Sequence, residues 1–255
     1  MNWKEIAGSW VIIPYQPIGI VHFLGGAFVA TAPHLTYRLI LEYLAQKGFI
    51  VVATPFINTL DHRAIAEQTL LNFERVLVRL EDRGIIGKGY LPIYGMGHSM
   101  GCKLHLLIGS LFPVKRAGNI LISFNNYAAK DAIPLVEQLN TAINVEFTPT
   151  PSETNKLIEK NYQVKRNLLI KFNNDNIDQS VILTNILQNI FGEMVVSKIM
   201  NGNHLTPLGQ DIKWQPGKEF NPIDALGQWF RQEVYRDLNE LNRTIAFWLN
   251  PVSTP

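Results

Sequence analysis

A chain of 255 residues, 47% apolar and only 17% charged, can bury a sizeable core and lies outside the disordered class. Its net charge of +2 comes without a Lys/Arg block or a basic stripe interleaved with aromatics, which argues against a nucleic-acid partner. The single cysteine, Cys102, excludes an intrachain disulfide framework and a cysteine-based zinc site.

In chain order, short apolar runs alternate with longer runs of helical period. The predicted strands are WVIIP (10–14), GIVHFL (19–24), FIVVATP (49–55), LPIYGMG (91–97), NILISF (119–124), NLLIKF (167–172) and MVVSKIM (194–200). Most are continuously apolar, as strands covered on both faces read. A helix opens near Pro33, repeats apolar residues at Leu35, Leu39 and Tyr43, and stops at Gly48. A second starts with Asp61 as N-cap and ends at Gly84; a third runs from Asp178 to Gly192; a last one covers about 223–249. This alternation predicts an α/β fold, a mostly parallel sheet with helices on both faces, in one domain over 1–255. Residues 127–166 interrupt the rhythm and are expected to form a small helical lid insertion; 205–222 form a Pro- and Gly-rich loop. MNWKEIAGSW has no charged head followed by an apolar core and a cleavage site, and IGIVHFLGGAFVATAP is too short to span a bilayer. A protein of the reducing cytoplasm, with no transmembrane segment, is the expectation.

Gly97-His98-Ser99-Met100-Gly101 lies between a predicted strand and a predicted helix. In that context a G-x-S-x-G places the serine on a strained corner that lifts its hydroxyl above the sheet. A serine needs a base. Of six histidines only His105 and His204 follow Ser99; His105 lies on the helix leaving the serine, whereas His204 sits in NGNHLTP after the last strand. In this strand–turn–helix arrangement the order is serine, acid, histidine. Asp175 and Asp178 compete for the acid after NLLIKF. Asp178 directly precedes a helix and suits a cap, so Asp175 is preferred. The backbone N–H of Met100 and one of Gly26 or Ala27, in the loop after the second strand, are the candidate oxyanion donors. Phe28, Phe56 and Tyr127 suggest an apolar substrate pocket. Cys102 and His105 are expected to pack or cap. Asp61 and His62 could face the same cleft, but cap and surface roles are preferred. The histidines do not cluster at metal-ligand spacing, and neither metal nor cofactor is implied.

The segments HFLGGAF, GHSMG, FNNDNID and GNHLTP resemble, in order and spacing, the α/β-hydrolase superfamily over essentially the whole chain. HFLGGAFVATAPHLTYRLILEYLA, ATPF and GHSMGCKLH look more narrowly like the domain-of-unknown-function 1350 branch of cyanobacteria and plant plastids. The superfamily resemblance implies a Ser–Asp–His site, here Ser99, Asp175 and His204, and hydrolysis of a small-molecule ester or thioester through an acyl-enzyme. Two other readings use the same scaffold: a non-catalytic small-molecule or lipid-binding protein, and an acyltransferase.

Overall fold

The computed structural model describes residues 2–87, 91–128, 146–208 and 222–250, with side chains left aside over 222–234. Eight strands form one sheet: β1 (Lys4–Ile6), β2 (Ser9–Ile12), β3 (Gly19–Leu24), β4 (Phe49–Ala53), β5 (Ile93–His98), β6 (Gly118–Ile122), β7 (Asn167–Phe172) and β8 (Val195–Met200). Their spatial order is β1-β2-β4-β3-β5-β6-β7-β8. β1–β2 and β2–β4 are antiparallel, and every pairing from β4 to β8 is parallel. Among the described residues the helices are α1 (Pro33–Thr36), α2 (Arg38–Gln46), α3 (His62–Asp82), α4 (Met100–Leu111), α5 (Pro151–Asn161), α6 (Ser180–Phe191) and α7 (Pro222–Leu249).

The apolar runs are continuous because alternate residues feed different cores. Val21 and Phe23, Ile120 and Ile122, and Leu168 and Ile170 pack on one face under α2 and α7. Leu121 and Leu169 face the other side, under α4, α5 and α6; Ile20 and Ile50 pack there against α3. The last helix contributes Leu238, Leu241, Ile245 and Trp248 to the first core. Its Leu226, Trp229, Phe230 and Val234 lie outside the described side chains. Among the described residues, no helix is long and apolar enough to cross a membrane.

Three expectations change. β1 is a strand that its charged, three-residue sequence KEI conceals. β8 ends the sheet and is open at its middle residues, with Ile199 73% exposed, so it is an edge strand. The helix opened by Pro33 breaks at Tyr37, whose φ of −112° and ψ of 21° leave the helical region. Within the 127–166 segment, the C-terminal part carries a helix anchored on the core. Thr150 accepts from the Glu153 N–H while the Glu153 carboxylate accepts from the Thr150 N–H, a capping box that starts α5. Ile158 and Tyr162 then pack beside α4 and α6. Residues 129–145 of that segment lie outside the described residues.

Several histidines are buried in this frame. His22 on β3 stacks on Phe73, accepts from Arg116 Nη2 at 3.1 Å and gives its Nε2–H to Thr54. His105 on α4 donates Nε2–H to the Met96 carbonyl at 3.1 Å. Burial, and secondarily Arg116, lowers the pKa of His105 to about 3 and that of His22 well below 6.5. Above pH 6.5 the folded and unfolded chains are both neutral at these rings. Below it the unfolded chain gains protons that the fold refuses, so stability falls as pH drops from 6.5 toward 3. Each ring contributes a slope of up to about 1.4 kcal/mol per pH unit. Urea midpoints should therefore decline steadily between pH 6.5 and pH 4.5; a level profile from 6.5 to 5 would contradict neutral burial.

Candidate active site

Ser99 stands between β5 and α4 with φ 54° and ψ −120°, a conformation that L-residues rarely adopt. Two glycines make the corner possible. A Cβ on Gly97 would lie 2.5 Å from the Cys102 nitrogen and the Gly101 carbonyl carbon. One on Gly101 would lie 2.0 Å from the Leu24 oxygen of β3. Strand, helix and neighbouring strand thus touch backbone to backbone around the serine. The Ser99 N–H donates to Ile122 O at 2.9 Å and its carbonyl accepts from Cys102 N–H at 3.0 Å. Among the described residues nothing accepts from the N–H of Met100, the first residue of α4; it is open to a ligand.

The acid and the histidine come from adjacent loops. After β7, Asn173 N–H donates to Met200 O and Asn174 N–H to Gly202 O, which ties this loop to the one after β8. His204 Nδ1 then meets Asp175 Oδ2 at 2.8 Å, and Asp175 Oδ1 accepts from Ile177 N–H. Burial pushes the Asp175 pKa upward, but the His204 ring, the nearby Ser123 hydroxyl and Ile177 outweigh it and hold the carboxyl below its usual range. Asp178 instead accepts from both the N–H and the hydroxyl of Ser180 at the start of α6. Its pKa is raised by burial.

A chain of hydrogen bonds links the surrounding loops. Gly26 N–H donates to the Tyr37 hydroxyl at 2.9 Å, Tyr37 meets His98 Nδ1 at 2.7 Å, and His98 Nε2 meets the His204 carbonyl at 2.9 Å. An amide N–H only donates and a carbonyl only accepts, so Gly26 donates to Tyr37 and His98 carries a hydrogen on Nε2; with the ring kept neutral, Tyr37 donates to Nδ1. Burial lowers the His98 pKa to about 3 and raises that of Tyr37. Gly26, one of the two candidate donors of its loop, is withdrawn because its N–H is already engaged. Ala27 has no acceptor among the described residues.

Ser99, Met100, His204, Ala27, Phe28 and Tyr127 line one cavity of about 620 Å³. Phe56 does not; it packs among Ala30, Leu70 and Leu104 in the core between α3 and α4. Cys102 is buried with its thiol on the Gly97 and Ile122 carbonyls, and burial raises its pKa. Asp61 caps α3 by accepting from Ala64 N–H at 2.9 Å. His62, by contrast, is buried and borders the cavity, as does Lys103. The surface role preferred for His62 is thus corrected, and sequence reasoning missed Lys103, His98 and Tyr37 as site neighbours. Lys103 carried a signal, a cation inside a mostly apolar helix. Among the described residues no cluster of His, Cys, Asp or Glu could hold a metal ion.

This sheet order, with a serine corner after β5 and histidine and acid loops after β8 and β7, is the α/β-hydrolase fold. Solved structures share it: esterase B from Lactobacillus rhamnosis (14% identity, TM-score 0.62, covering 96% of this chain and 89% of that one). Others are a thermostable carboxyl esterase from Bacillus coagulans (12%, 0.56, 98% and 97%) and the fluorophosphonate-binding serine hydrolase FphF from Staphylococcus aureus (13%, 0.55, 90% and 91%). The chain belongs to the family described as "Protein of unknown function (DUF1350)", which matches residues 2–251. No curated protein sequence matches it.

The corner makes a sharp prediction. Gly101→Ala drives a methyl into the Leu24 carbonyl and should destabilise the protein by about 3 kcal/mol or more. Gly192→Ala, at positive φ (58°) but facing open space, should cost less, about 1–3 kcal/mol from backbone strain alone. Urea denaturation of the two variants checks the order.

Proposed function

We propose that this protein is a serine hydrolase acting on an ester or thioester with a largely apolar acyl group. The observation that carries the reading is the 2.8 Å bond from His204 Nδ1 to Asp175 Oδ2, at the wall of the cavity that Ser99 also lines. A carboxylate only accepts, so Nδ1 carries the hydrogen and Nε2 keeps its lone pair for a proton. Ser99 Oγ attacks the carbonyl carbon and its proton passes to His204 Nε2. The N–H groups of Met100 and Ala27 hold the tetrahedral oxyanion, each such donor contributing about 3 kcal/mol of transition-state stabilisation. Collapse expels the alcohol or thiol, which takes the proton from Nε2 and leaves the acyl group on Ser99. Water, deprotonated by the same nitrogen, attacks that acyl carbon; Ser99 leaves with the proton and the free acid is released. Phe28, Leu205 and Leu208 give the cavity the apolar wall such an acyl group needs. The fold shared with esterases and a fluorophosphonate-binding hydrolase supports the class of reaction.

A fluorophosphonate probe should label the wild-type protein and leave Ser99→Ala unlabelled; equal labelling of both would remove Ser99 as nucleophile. Free acid released from a p-nitrophenyl ester separates hydrolysis from transfer to another acceptor. Asp175→Asn should lower kcat/KM by about 10³–10⁴-fold, since an amide stabilises the wrong imidazole tautomer. Asp178→Asn, at a carboxylate that holds the start of α6 and lies 3.9 Å from Lys171 Nζ, should cost about 1 kcal/mol of stability and little rate. The reverse ranking would move the acid to Asp178.

A further inference from the structure

One wall of the cavity is built from polar groups that the proposed hydrolysis does not use. Lys103 lies four residues after Ser99 on α4, about 6 Å further along the helix axis. Its side chain is 2% exposed, yet it borders the cavity. Nζ donates to the Pro149 carbonyl at 3.2 Å and stands 5.6 Å from the centre of the Phe147 ring. Among the described residues no carboxylate lies within ion-pair distance of it. An ammonium has three hydrogens and a full charge to place, so this one is under-satisfied. Burial lowers its pKa to about 7.

His62 provides a second, independent observation. It is 3% exposed, stacks on Phe147 at 4.2 Å and borders the same cavity, but among the described residues neither ring nitrogen has a hydrogen-bond partner. Buried polar atoms are rarely left so, and those that are call for a ligand or water. His62 stays neutral, because burial and then Lys103 push its pKa down to about 3. With Lys103 protonated, these two residues therefore offer one positive charge and one neutral N–H donor. A carboxylate, with a single charge and two acceptor oxygens, matches that inventory; a phosphate dianion would leave an uncompensated charge.

We propose, on the reading of Ser99 as nucleophile, that Lys103 and His62 form a recognition site for a carboxylate on the substrate, so that the preferred ester is anionic at the end remote from the reacting carbonyl. The apolar wall then takes the methylene chain and Lys103 takes its charged end.

Two experiments test this. In the first, the wild type hydrolyses p-nitrophenyl hemisuccinate, hemiglutarate and hemiadipate, and the neutral butyrate, valerate and hexanoate esters. 4-Carboxyphenyl valerate carries the anion on the leaving group instead. The best anionic ester should exceed its neutral partner in kcat/KM by tenfold or more, and the series identifies which side of the substrate faces Lys103. Lys103→Met and Lys103→Gln should bring that ratio near unity. In the second, Ser99→Ala is titrated calorimetrically with mono-methyl glutarate and methyl valerate. The anion should bind at least tenfold more tightly, and the difference should vanish when Lys103→Met is added. Equal affinities, or a preference that survives loss of Lys103, would overturn the proposal, and the first comparison needs no lysine variant to fold. Ser99-dependent turnover of neutral esters without anion preference would defeat the carboxylate site and spare the hydrolase reading. Lys103-dependent anion binding without turnover of any ester would do the opposite.

Discussion

The site depends on one contact, the approach of the α4 backbone to β3 and β5 at Ser99. Helix and strands are so close that a single methyl at Gly97 or Gly101 has nowhere to go. A serine at φ 54° costs about 1–3 kcal/mol, and the surroundings hold it there. Every residue of α4 from Met100 to Ser110 is buried, and β5 is buried from Tyr94 to His98. The corner cannot relax without lifting a core helix from the sheet. In return Ser99 and Met100, whose N–H has no acceptor among the described residues, both line one cavity.

The rest of the site is referenced to that corner by hydrogen bonds of fixed sense. Gly26, Tyr37, His98 and His204 are linked in one direction, from an amide that can only donate to a carbonyl that can only accept. The chain runs through the residue next to Ser99, so the loop after β3 and the histidine loop are both held against the elbow. The acid loop is held in turn to the histidine loop through Asn173 and Asn174. A protonated His98 would place a hydrogen against the Tyr37 donor and break the sequence. Its neutrality is therefore a structural requirement as much as a result of burial.

Much of this was legible in the sequence, for physical reasons that differ by residue. Strands β3, β5 and β7 announce themselves because both faces are covered and every side chain is apolar. Ser99, Asp175 and His204 could be nominated because each lies just beyond an apolar run, where a parallel sheet presents its carboxyl ends. What failed depends on long-range contacts. Tyr37 carries no Gly or Pro to mark a break, and its place is set by His98, sixty-one residues later. Gly26 and Ala27 could not be separated, because the hydroxyl that engages one of them comes from that same tyrosine. The aromatic character of Phe56 alone suggests a pocket residue, though α3 and α4 enclose it. The start of α5 was readable and overlooked: TPTPSE holds Thr150, Pro151 and Glu153 in capping-box order.

Lys103 poses a different question, since a sequence can be locally poor for a reason. At a position buried on a core helix, methionine would pack without desolvating a charge, and an unpaired buried ammonium costs several kcal/mol. His105, the other strongly polar side chain in the middle of α4, resolves its burial by donating to the Met96 carbonyl and staying neutral. Lys103 resolves only part of its own, with one carbonyl for three hydrogens. His62 beside Phe147 resolves none among the described residues. Two under-satisfied groups on one wall of the serine's cavity are a local deficit that folding does not explain, and such deficits are expected where a ligand supplies the missing partner.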